Sequence, residues 1–88
     1  SDSGSSTMAD FEHNSDKFGY LNLDELDGVQ GALLKLGYTL GKADGMMGPK
    51  TREAIRAFQK DAGLKADGDV GPLTRGALRD TLQQKSST

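Results

Sequence analysis

One thirteen-residue phrase occurs twice in this chain. Residues 43–55 read ADGMMGPKTREAI and residues 66–78 read ADGDVGPLTRGAL. Eight of the 13 positions are identical at an offset of 23 residues. Each copy holds an Asp-Gly turn, a two-residue bridge, Gly-Pro and the opening of an apolar stripe at helical spacing. Proline suits the first position of a helix, where its missing N–H would have no intrahelical partner anyway. Two equal loops feeding two helices imply a pseudo-symmetric core.

The chemistry of the phrase is local. Asp44 and Asp67 suit Asx-type turns, in which the carboxylate accepts a backbone N–H two residues on. Gly45 and Gly68 suit positive φ. Met47 and Val70, each just before Gly-Pro, read as plugs into the core. Thr51 and Thr74 sit in the first helical turn, where a hydroxyl can satisfy a free backbone group or meet the loop aspartate.

An earlier helix is signalled at Asn22, an N-cap with Glu25 three residues on. Leu26, Val29, Leu33 and Leu36 then recur at spacings of three and four. Gly37 ends that stripe and Tyr38 is placed to fold back on it, as in a Schellman motif. Gly63 and Leu64 repeat the arrangement after the second helix. Gly28 and Gly31 lie three apart, on a face where another backbone can come close. The second helix is expected from Gly48-Pro49, with Thr51, Ala54, Ile55, Phe58 and Ala62 inside. The third is expected from Gly71-Pro72, with Thr74, Ala77, Leu78, Thr81 and Leu82 inside.

No segment shows a convincing period of two. The expected fold is therefore all-α, a small three-helix bundle with an internal pseudo-symmetric loop-helix repeat. Residues 1–19 read as a flexible acidic leader or linker, 20–82 as the domain and 83–88 as a disordered tail. Phe11, Phe18 and Tyr20 either pack on the core as an arm or ride on a mobile leader.

Composition narrows function. The chain has 88 residues, no cysteine and a net charge of -2. Disulfide scaffolds and thiol chemistry are excluded. Residues 24–82 carry nine acids and nine bases, which leaves no basic surplus for a phosphate backbone, so no nucleic-acid partner is expected. No apolar run is long enough to span a bilayer. His13 is the only histidine and lies in the leader. No nucleophile–base–orienter set can be assembled, so catalysis is not expected. Paired calcium loops fail on ligand spacing, because Asp44 is followed by Gly45, Met46 and Met47. No metal and no cofactor are expected.

Val29-Gln30, Leu33, Leu36-Gly37-Tyr38, Asp44 to Thr51, Ala54, Phe58-Gln59, Gly63-Leu64 and Asp67 to Thr74 together resemble the peptidoglycan-binding-like domain family. The resemblance covers roughly residues 24–82. It implies a three-helix, non-catalytic module that targets an attached or partner protein to the bacterial wall. It also implies a place in the cell envelope or outside the cell, and a linked catalytic domain such as a wall hydrolase. The family often has aromatic residues at the positions of Met47 and Arg75. The implied ligand is a peptidoglycan glycan strand or stem peptide, bound by a monomer on a shallow site near the two loops. Candidate ligand-binding residues are Tyr38, Asp44, Lys50, Thr51, Arg52 and Arg75. Lys50, Arg52 and Arg75 would pair with stem-peptide carboxylates at helix starts, and Tyr38 would stack on a sugar or acyl chain. The alternative is a protein–protein docking or inhibitory module on the same three-helix fold.

Overall fold

The computed structural model describes residues 11–86. Strands β1 (Glu12–Ser15) and β2 (Gly19–Asn22) precede helices α1 (Leu26–Lys35), α2 (Pro49–Asp61) and α3 (Pro72–Ser86). The strands pair antiparallel, with His13 opposite Leu21 and Asn14 opposite Tyr20. The all-α expectation is thus corrected. Three helices are present, and a β-hairpin stands where a flexible leader was expected. Residues 1–10 of that leader, and residues 87 and 88 of the tail, lie outside the described residues.

The hairpin escaped the sequence reading because its strands are only four residues long and its inner face is mixed. His13 and Leu21 point inward and are buried, while Asn14 and Tyr20 point out. Its turn is local chemistry. The Ser15 hydroxyl accepts the Phe18 N–H at 3.1 Å, and Gly19 follows at φ +78°. A three-residue loop closed by a left-handed glycine matches the twist of the flanking strands. Phe18, Leu21 and Leu23 then join Val29, Ala32, Leu33, Leu40, Ala54, Ile55, Phe58, Leu78 and Leu82 in one core. Burying a side chain such as Leu23, which is fully enclosed, contributes roughly 1.5–3 kcal/mol.

Leu23 N–H donates to the Phe11 carbonyl at 2.7 Å, which extends the hairpin pairing past its strands. Two polar ties hold the hairpin on α3: Arg75 Nε donates to the Leu23 carbonyl at 2.9 Å and Lys17 Nζ to the Lys85 carbonyl at 3.1 Å. α3 therefore continues through Gln83–Ser86, past the expected end of the domain at Leu82.

α1 begins later than its capping signal. Asn22 ends β2 instead, and its side-chain oxygen accepts the Asp24 N–H at 3.0 Å. Glu25 takes the N-cap position without a side-chain hydrogen bond. The end of β2 lies across the first turn of α1, and Gly28 makes room for it. A Cβ on Gly28 would fall 1.7 Å from the Asn22 carbonyl oxygen, whereas one on Gly31 would meet only the end of the Leu21 side chain at 3.2 Å.

Both Schellman ends form. Tyr38 N–H donates to the Leu33 carbonyl at 2.9 Å, and Leu64 N–H to the Gln59 carbonyl at 2.7 Å. The Gly-Pro starts of α2 and α3 stand where expected. Met47 is not the core plug that its position suggested. It is 41% exposed, Met46 is 69% exposed, and Leu40 fills the core beside them at 4%.

The two helical glycines should respond differently to alanine. Gly28→Ala must displace backbone and should destabilise by roughly 1–3 kcal/mol or more. Gly31→Ala should stay within about 1 kcal/mol of wild type, because the gain in helix propensity offsets a small shift of Leu21. Thermal or urea unfolding of both variants checks the contrast.

Candidate functional site

Each repeated loop is organised around a buried glutamine on the preceding helix. Gln30, on α1, is fully buried. Its Nε2 donates to the Met46 carbonyl at 2.9 Å and to Thr51 Oγ1 at 3.0 Å, and lies 3.4 Å from Asp44 Oδ1. Its Oε1 accepts the Gly45 N–H at 2.7 Å. Gln59, on α2, is 2% exposed and makes the same bonds one loop later. It donates to the Asp69 carbonyl at 2.8 Å, Thr74 Oγ1 at 3.0 Å and Asp67 Oδ1 at 3.1 Å, and accepts the Gly68 N–H at 2.9 Å. A backbone N–H on one end and a carbonyl on the other leave one orientation for each amide.

The aspartates complete the turns. Asp44 Oδ1 accepts the Met46 N–H and Asp67 Oδ1 the Asp69 N–H, both at 3.0 Å. Gly45 and Gly68 stand at φ +77° and +79°, a backbone that side chains with a Cβ adopt only with strain. Both carboxyls are held below their ordinary pKa. The backbone N–H bond is the largest cause in each, and the glutamine amide adds to it.

Shallow clefts lie beside the loops. The first, about 430 Å³, is lined by Leu40, Lys42, Asp44, Met46, Met47, Lys50 and Thr51 among others. It presents two lysines against one aspartate, beside two exposed methionines. The second, about 270 Å³, is lined by Leu64, Lys65, Asp67, Asp69, Pro72, Leu73 and Thr74 among others. There, two aspartates face one lysine. Leu73 holds the place that Lys50 holds in the first copy and is 76% exposed.

The six candidate residues do not converge. Asp44, Lys50 and Thr51 share the first cleft, but Thr51 is buried at 4% with its oxygen accepting from Gln30. Tyr38 lines a different cleft, with Asp61 and Lys85. The aliphatic stem of Arg52 lies over Gly68 of the second loop. Arg75 is half-buried and bonded to the Leu23 carbonyl, so it clamps the hairpin. His13 is buried in the hairpin, with Nε2 2.8 Å from Ser15 Oγ and its pKa lowered by burial. Among the described residues, no group of three or more His, Asp or Glu side chains could hold a metal ion.

Sequence reasoning had Gln30 and Gln59 only as part of a family pattern and missed what they do. Gln30 stands 14 residues before Asp44, and Gln59 only eight before Asp67. The 23-residue offset therefore never aligned them. The usable signal was a polar residue inside each apolar stripe, directly after Val29 and Phe58.

Gln59→Leu should cost roughly 2–4 kcal/mol, because it strands the buried Gly68 N–H and the Thr74 hydroxyl. Chemical denaturation measures this directly. Acid should act through the aspartates. Their folded pKa values lie below the usual 3.8, so their contribution is complete above that value and is lost as pH falls through the lower folded values. Asp67→Asn, which keeps the acceptor but does not titrate, should show a shallower loss of Tm below pH 4 than wild type.

A family model described as "Putative peptidoglycan binding domain" matches residues 22–78. That span is well over half of the chain and contains both loops. Comparisons with curated proteins and with solved structures return no significant match. With both loops, α1, α2 and the start of α3 inside the matched span, this chain belongs to the peptidoglycan-binding domain family.

Proposed function

We infer that the chain is a non-catalytic wall-binding module whose first loop cleft receives a carboxylate-bearing stem peptide of peptidoglycan. One observation carries the choice of cleft. Within a chain of this family, Lys42 and Lys50 flank the exposed Met46 and Met47. Stem peptides combine carboxylates with small apolar side chains, so lysines and a methionine surface suit them together. The second cleft, with two aspartates against one lysine, is the poorer host for an anion. Asp44 stays ionised, yet the first cleft still holds two lysines against its one carboxylate, the reverse of the balance in the second.

In this reading Asp44 and Thr51 shape the loop, and Lys50 makes the contact. Arg75 works at a distance by holding the hairpin. Binding by a single shallow cleft is weak. Linkage to a wall-active enzyme or another wall-bound partner would raise its effective concentration at the substrate. The place of action is the bacterial envelope or the space outside the cell. No described helix is long and apolar enough to cross a membrane.

Co-sedimentation with purified, protein-free sacculi tests this. Wild type should pellet, and less so as salt rises, since exposed charge pairs are screened. Lys50→Glu, shown to be folded by circular dichroism, should bind roughly tenfold more weakly, equivalent to about 1.4 kcal/mol. Wild type remaining in the supernatant at large sacculus excess would overturn the reading and favour a protein partner. Equal pelleting of both forms would move the peptide site elsewhere.

A further inference from the structure

Tyr38, Asp61 and Lys85 come from three separate parts of the chain and line one cleft of about 200 Å³. Tyr38 follows α1, Asp61 ends α2 and Lys85 lies in the last turn of α3. This cleft shares no lining residue with either loop cleft. Leu36 and Phe58 give it an apolar floor, and Thr81 adds a hydroxyl. The Tyr38 ring meets Phe58 edge-on, with centroids 6.1 Å apart, and its hydroxyl donates to Asp61 Oδ2 at 3.0 Å. Both restraints hold the aromatic ring before anything binds. Burial first, and then Asp61, push the phenol's pKa up, so it stays a neutral donor.

The hairpin braces the cleft from outside its lining. Lys17 Nζ donates to the Lys85 carbonyl, which ties the last turn of α3 in place. Thr81 and Lys85 both lie beyond residues 22–78, the span the family model matches. This cleft therefore depends on segments that the family pattern does not contain.

We propose that the Tyr38–Asp61–Lys85 cleft binds one pyranose ring of a glycan strand, an inference that rests on the wall-binding reading. A pyranose has an apolar C–H face for an aromatic and aliphatic floor. Its hydroxyls are donors and acceptors at once. The rim offers a carboxylate to accept, an ammonium to donate, the Thr81 hydroxyl that does either, and the Tyr38 oxygen, which can accept while it donates to Asp61. An anionic ligand would be opposed by Asp61 and a cationic one by Lys85, whereas a neutral polyhydroxyl ring uses both. The stem peptide and the sugar chain would then engage different clefts of one module.

A water-soluble N-acetylglucosamine tetramer, titrated into the isotopically labelled full chain, provides the test by amide NMR. Shifts should appear in residues 36–38, 58–62 and 81–85. Tyr38→Ala should abolish them. Tyr38→Phe, which keeps the ring and loses the bond to Asp61, should weaken binding severalfold, and so should Lys85→Ala. The Lys85 variant decides the matter if Tyr38→Ala does not fold. Sacculus pelleting without any tetramer response at these residues, or with a response confined to residues 42–51, would overturn this inference and leave the wall-binding reading standing. A chain that neither pellets nor responds would overturn both.

Discussion

Two buried amides organise this small protein. Each of Gln30 and Gln59 lies inside the bundle and binds a loop through both ends of its side chain. A loop of Asp-Gly-x-x-Gly-Pro carries few apolar groups and could not be held by packing alone. The glutamine supplies an internal partner for the loop's backbone N–H, its backbone carbonyl and a threonine hydroxyl of the first helical turn. No buried side-chain nitrogen or oxygen among the described residues lacks a hydrogen-bond partner. In a low-dielectric interior such a network is either complete or costly, which makes the loop geometry all-or-none.

The loop clefts inherit that rigidity. Lys50 follows Pro49 directly and precedes Thr51, whose oxygen is bound to Gln30. A surface lysine in that setting has a fixed backbone and a mobile head, which suits a carboxylate on a large, irregular polymer. Met47, expected as a core plug, is 41% exposed, while Leu40 is buried in the core. Met47 instead joins Met46 on the surface of the first loop cleft.

The hairpin has a second effect besides filling the core. It engages Arg75 and the end of α3, two features that looked like a ligand contact and a loose tail in the sequence. By doing so it commits the Arg75 Nε to a structural bond and ties the backbone of Lys85, whose residue lines the cleft beside Tyr38. The polar character of residues 10–19 disguised this, since His13 and Ser15 satisfy one another in place of apolar packing.

What the sequence determined by itself was local. The Asx turns, the glycine conformations, the Gly-Pro helix starts and both Schellman ends involve partners two to five residues apart, so residue type and spacing suffice. Gly28 and Gly31 were legible as a face for close approach, though not what approaches. The tertiary structure decided everything that joins distant parts. The Arg75–Leu23 bond spans 52 residues and the Lys17–Lys85 bond spans 68, and neither has a short-range signature. The partners of Gln30 and Gln59 were hidden because the two spacings differ. The candidate residues dispersed for the same reason: closeness on the surface depends on how helices and hairpin pack, and that is set by the core as a whole rather than by any one motif.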